Sequence, residues 1–192
     1  MKRFFLLALM CSHIFFSCKP QNSTKTTHKA AAAVAPNPAW DLLNQENISA
    51  ADIATMRTNA EGMLEFRDKE LNHKSVTIID KDIWKVVAFI IGRDGKFGDK
   101  LHGAWIDFKE DLTYTYGHYD KTEGQGLYIY DLDKELILLI DDNQTMKPQE
   151  FKVKVTNDNL VLVGTETYRD NAMQAKLDRT ASFPSAPAEA TH

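Results

Sequence analysis

Metal binding, nucleophilic attack and acid–base chemistry each need particular residue types at particular spacings, and this 192-residue chain carries few of them. A zinc-type site needs His, Cys, Asp or Glu converging on one point. Beyond residue 18 there is no cysteine, and the histidines are His28, His73, His102, His118 and His192, the nearest pair standing 16 residues apart. His102 and His118 could meet across neighbouring strands, although near turns a solvated side chain is the plainer expectation. Asp131-Leu132-Asp133-Lys134-Glu135 opens like a calcium loop and then lacks its Gly and its closing Glu. A polar turn is expected there, and equally at Asp141-Asp142-Asn143. A serine nucleophile needs a base in reach and a turn that exposes it, and no Gly-x-Ser-x-Gly occurs. No glycine-rich phosphate loop follows a strand and precedes a helix. Asp107 and Glu110 are close enough to suggest a carboxylate pair of the glycosidase kind. One falls on a strand and the other in the next turn, which is also how charged residues ordinarily flank a hairpin. The expectation is a protein that is not an enzyme and holds no cofactor or metal.

The aromatic residues are the richer signal. Tyrosine brings an apolar ring and a hydroxyl that seeks a partner when buried, and a cluster of such rings can wall a pocket with a few polar handles. Trp84, Phe108, Tyr114, Tyr116, Tyr128 and Tyr130 are the expected lining of a site for a small hydrophobic or amphipathic molecule. The alternative is that the rings simply fill a barrel, since eight strands leave room for packed side chains or for one small ligand.

Those rings must be positioned by strands. From Ser75 onward, short apolar and β-branched runs alternate with turn signals roughly every ten residues. The expected strands are Val76–Ile79, Trp84–Ile91, Gly103–Phe108, Leu112–Tyr116, Leu127–Tyr130, Glu135–Ile140, Glu150–Val155 and Leu160–Tyr168, with a short last one at Gln174–Asp178. Asp94-Gly95, Glu110-Asp111 and Asn157-Asp158-Asn159 are among the breaks, and such residues tolerate tight turns. Phe151, Val153 and Val155 alternate with Lys152 and Lys154, so one face is dry and the other wet. Ala104, Ile106 and Phe108 share a face, with Trp105 on the polar side, and Tyr128 and Tyr130 share a face with Gly126. Before the strands, Ser49 can cap a helix carrying Ile53, Met56, Ala60 and Leu64 on one side, and Met63–Leu71 fits either a helix or a strand. The fold class is therefore mainly β: an antiparallel up-and-down barrel of about eight strands, which also removes exposed edges, with one N-terminal helix.

Asp82-Ile83-Trp84, the run Gly103-Ala104-Trp105-Ile106-Asp107-Phe108-Lys109-Glu110-Asp111-Leu112-Thr113-Tyr114, Gly126-Leu127-Tyr128-Ile129-Tyr130 and Asn159-Leu160-Val161-Leu162 resemble the small lipocalin-like lipoproteins of Gram-negative bacteria. Asp82 stands where the lipocalin signature has Gly. The resemblance implies a barrel that binds a small apolar molecule or serves another envelope role, and it implies no catalysis.

Lys2 and Arg3 precede an almost wholly apolar run from Phe4 to Phe16, too short for the roughly 20 residues a spanning helix needs. Ser17-Cys18 at its end is similar to the lipobox of bacterial lipoprotein signals. That resemblance implies lipid on Cys18 and cleavage just before it. A secretory cut at Ala33-Val34-Ala35 or an uncleaved anchor are the other readings. The expected organisation is a signal peptide over 1–17, a flexible tether over 18–39, a barrel domain over 40–180 and a disordered tail over 181–192. Without Lys2 and Arg3, 27 acidic residues face 21 basic ones, a net charge of −6. Such a balance disfavours nucleic acid and anionic membrane surfaces as partners. The expected partners are the membrane, through the lipid, together with a small ligand or another envelope protein. The expected location is the cell envelope, at the outer membrane or a periplasmic face.

Overall fold

The computed structural model describes residues 47–71, 78–91, 96–97 and 101–186. Cys18, the tether and the first half of the expected Val76–Ile79 strand lie outside the described residues.

Helix α1 runs from Ala50 to Leu71. Ser49 Oγ accepts the amide N–H of Asp52 at 3.1 Å, the cap its sequence position suggests. The undecided Met63–Leu71 segment is helix, and Gly62 does not break it, because nothing packs against that position. The face turned to the barrel carries Arg57, Ala60, Leu64, Arg67 and Leu71, at alternating spacings of three and four. Two of those five places are held by arginine, and each guanidinium finds its own partners. Arg57 donates to the carbonyls of Asp141, Asn143 and Met146 at 2.7, 3.3 and 3.1 Å. Arg67 pairs with Glu150 at 2.8 Å, both side chains being buried.

Nine strands follow: β1 (Ile83–Ile91), β2 (Lys96–Phe97), β3 (Ala104–Phe108), β4 (Thr113–His118), β5 (Lys121–Asp131), β6 (Leu136–Asp141), β7 (Gln149–Val155), β8 (Asn159–Gly164) and β9 (Met173–Thr180). From β3 onward each pairs antiparallel with the next, and β3 also pairs with β1. β1 then pairs with β9, from Ile83 opposite Thr180 to Ile91 opposite Met173. That last pairing closes an eight-stranded barrel, with β2 a short ribbon on the end of β1. The up-and-down barrel expected from the strand spacing is therefore the fold.

Several boundaries differ from expectation. Ile78 and Ile79 form a turn rather than a strand. β5 begins at Lys121, six residues before the expected start, because its early inward positions are Gly124 and Gly126 and give no apolar alternation. β8 stops at Gly164, where Thr165–Tyr168 leaves the ladder: Thr165 and Thr167 donate their hydroxyls to Glu150, and Tyr168 buries its ring beneath α1. The last strand is longer than expected at both ends.

The interior is one apolar cluster drawn from every barrel strand. β6 is buried on both faces, with Ile137 and Leu139 inside and Leu138 and Ile140 under α1, which explains its unbroken Leu-Ile-Leu-Leu-Ile run. Full burial of such side chains contributes about 1.5–3 kcal/mol each.

Candidate binding site at one end of the barrel

Antiparallel strands deliver their turns alternately to two ends, and the two ends differ. At one end Ile79 lies over the barrel, and Trp84 donates its indole N–H to the Ile79 carbonyl at 2.7 Å. Arg179 stacks its guanidinium over the Trp84 ring, 4.6 Å from the centroid, and donates to the Ile78 carbonyl at 2.6 Å. Phe108 and Tyr128 pack with centroids 4.8 Å apart, and the Tyr128 hydroxyl donates to the Lys109 carbonyl at 2.9 Å. This end is sealed by packed rings, and the Trp84 N–H and the Tyr128 hydroxyl are bonded within the fold.

At the opposite end two inward positions are polar. Counting back by twos from Val153 and Phe151 brings Gln149 to the inner face of β7, and the same count along β6 brings in Asp141. Opposite them on β4 are Tyr114 and Tyr116, whose rings stack at 6.1 Å. Their partners across the ladder are Gly126 and Gly124. A Cβ at Gly124 would stand 2.2 Å from the Tyr116 hydroxyl, and one at Gly126 would stand 2.8 Å from the Tyr114 ring. Both rings therefore lie over strand positions that only glycine can fill.

Ile106, Tyr114, Tyr116, Leu139, Asp141, Met146, Lys147, Gln149 and Phe151 enclose a cavity of about 20 Å³. That is room for a water-sized group. Its walls are mostly ring and aliphatic carbon. Burial raises the Asp141 carboxyl above its ordinary value of 3.8, opposed by hydrogen bonds from the Asn143 amide and the Tyr116 hydroxyl. Burial also pushes the Tyr114 phenol well above 10.0, helped by the nearby Asp141 charge. Lys147, 2% exposed, donates its ammonium to the Asp170 carbonyl. Gln149 is 6% exposed, and neither its amide nitrogen nor its amide oxygen has a partner.

All six aromatic residues expected to line a site are buried in the same interior cluster. Tyr114 and Tyr116 wall the cavity, while Trp84, Phe108, Tyr128 and Tyr130 lie among the other packed residues of that cluster. Cys18 falls outside the described residues. Asp141, expected to be a solvated turn, is instead a buried member of the site, because β6 extends through it. Asp131 does form the polar turn, accepting from the Lys134 amide and ammonium at 3.1 and 2.7 Å. Asp107 pairs with Lys109 while Glu110 is exposed, so no carboxylate pair forms there. The His118 ring bonds to the His102 carbonyl, and His102 Nδ1 lies 3.2 Å from the Tyr119 hydroxyl. Among the described residues no group of three potential ligands could hold a metal ion. Trp105, expected on the polar side, does point outward and is nevertheless buried: its N–H donates to the Tyr119 carbonyl at 2.8 Å, and Phe183 covers its ring at 4.6 Å.

No protein-family model matches the chain, and no curated protein matches it. Solved structures resemble it, two of them from Bacteroides. One is a DUF4847 family protein from Bacteroides vulgatus, 17% identical, covering 55% of this chain and 96% of its own, with a TM-score of 0.40. The other is a protein from Bacteroides uniformis, 18% identical, covering 59% of this chain and 99% of its own, with a TM-score of 0.39. Likeness at this level says nothing of a ligand or an activity.

Proposed function

We propose that this chain is a non-enzymatic, lipid-anchored binding module of the cell envelope. Acyl chains on Cys18 hold it at the outer membrane or a periplasmic face, and the barrel receives a small hydrophobic or amphipathic molecule at the Asp141–Gln149 end. The observation that carries this reading is the difference between the ends: one is sealed, and the other keeps a cavity walled by the Tyr114 and Tyr116 rings. Binding pockets of barrels combine apolar walls with a few placed polar groups, and this end has both.

Native mass spectrometry of the full chain purified from its own host tests the reading. A reproducible small-molecule adduct that is lost on denaturation, and lost again when Tyr114 and Tyr116 are both changed to Ala, is the expected result. A bare protein mass sinks it. The anchor is tested separately: Cys18→Ala should move the protein from the membrane fraction to the soluble one.

One observation favours a second reading, an accessory lipoprotein that binds another envelope protein. Met63 and Phe66 stand one turn apart on α1 and are 40% and 56% exposed. Crosslinking from Phe66 in cells, with no adduct in the barrel, would select it.

A further inference from the structure

We infer that the cavity at the Asp141–Gln149 end takes a neutral group that carries a hydrogen-bond donor and an acceptor on two atoms of one carbon: the edge of a primary amide or a lactam, or a protonated carboxylic acid. This deepens the proposed binding role and rests on it. The argument starts from Gln149. Its side chain faces the barrel interior with those of Phe151 and Val153, where apolar residues are the rule. It is 6% exposed, and both amide atoms lack a partner. A buried amide without partners is costly, and an inward Leu would pack without that cost. A residue that breaks the local packing rule without gain to the fold marks a functional position.

Three other polar groups at this end are engaged within the fold. The Tyr116 hydroxyl donates to Asp141, and Asp141 accepts from the Asn143 amide at 2.7 Å. Lys147 is bonded to the Asp170 carbonyl. The carbonyls that rim the loop at Asp141, Asn143 and Met146 are held by Arg57. Gln149 is the side chain left with both a donor and an acceptor unmade, and its carboxamide presents N–H and C=O side by side. Its complement presents C=O and N–H, or C=O and O–H, in the reverse order. A carboxylate would satisfy only the nitrogen and would face Asp141 across a cavity of about 20 Å³. An apolar group would satisfy neither atom. The cavity's size limits the seated part to the polar end of a ligand.

Acetamide, acetone and acetate test this on the full chain, because they share one shape and differ only in the group beside the carbonyl carbon. The readout is the Gln149 side-chain NH₂ pair in ¹H–¹⁵N spectra at neutral pH. Acetamide should shift that pair saturably, with acetone and acetate at least about tenfold weaker, the factor that one unmade hydrogen bond gives. Gln149→Leu should abolish the preference for acetamide over acetone, read at Tyr114 and Tyr116. Equal responses to acetamide and acetone, or an unmoved Gln149 pair, overturn the inference, and this comparison needs no variant to fold. 1-Octanol separates the two levels of the argument. If it perturbs Tyr114 and Tyr116 while acetamide does nothing, the donor–acceptor inference fails and the binding role stands. If neither probe perturbs this end, both fail.

Discussion

At the sealed end of the barrel, Tyr128 turns its hydroxyl outward to a backbone carbonyl, and Trp84 ties its N–H to the turn that covers it. At the other end, Tyr116 turns its hydroxyl onto a buried carboxyl, and Gln149 holds two polar atoms with no partner at all. The two ends are built from the same strands and share one apolar cluster. They differ in that the polar atoms of Trp84 and Tyr128 are bonded within the fold and those of Gln149 are not. Where they are, the residues contribute stability. Where they are not, stability has been given up for something the fold does not need.

The largest effect should come from the sealed end. Trp84→Ala removes one of the two largest fully buried side chains and frees the Ile79 carbonyl, so it should destabilise by about 4 kcal/mol in urea unfolding. A loss under about 1 kcal/mol would mean that this end is not the anchor described here. Next is Gly124→Ala. The new methyl would meet the Tyr116 ring, and moving that ring should cost about 2 kcal/mol and break its bond to Asp141. A neutral result would mean that the ring over Gly124 is free to move.

Gln149→Leu should go the other way and stabilise by about 1 kcal/mol, read as a raised Tm, since it removes two buried polar atoms without partners. A lowered Tm would erase the contrast between the ends. The smallest effect is a slope. Burial raises the Asp141 carboxyl above 3.8, so the folded chain holds that proton more tightly than the unfolded one. Its contribution to stability is then present below the ordinary value and lost as pH rises through the raised one. Asp141→Asn should flatten that part of the pH–stability curve relative to the parent, and an unchanged difference between the two curves would contradict the assignment.

The barrel was legible because its inward positions alternate. Phe151, Val153 and Val155 against Lys152 and Lys154 fix the inner face of β7, and the paired tyrosines fix those of β4 and β5. The same alternation hid part of the site. Asp141-Asp142-Asn143 has the composition of a turn, so Asp141 does not look like the last inward residue of β6. Gln149 follows Lys147 and Pro148, and its polarity reads as exterior until the count is carried back from Phe151. Glycine hid the first half of β5, because a strand whose inward places are empty shows no pattern. On α1, two charged residues occupy the buried stripe, and only their contacts with three carbonyls and with Glu150 reveal that they face inward. Hydrophobic periodicity reports faces that are apolar, and it is silent where a buried face is polar or bare.

Closure of the barrel through β1 and β9 has a consequence in time. Every other barrel pairing joins strands next to each other along the chain, and each can form as a local hairpin once its turn exists. The final seam joins the two most distant strands, carries the greatest loop-closure entropy, and waits for the last residue of β9. While β9 is missing, β1 and β8 are open edges, and both are rich in aliphatic residues. A chain truncated before Met173 would keep most of its hairpins and lose its seam, so it should polymerise edge to edge rather than simply unfold.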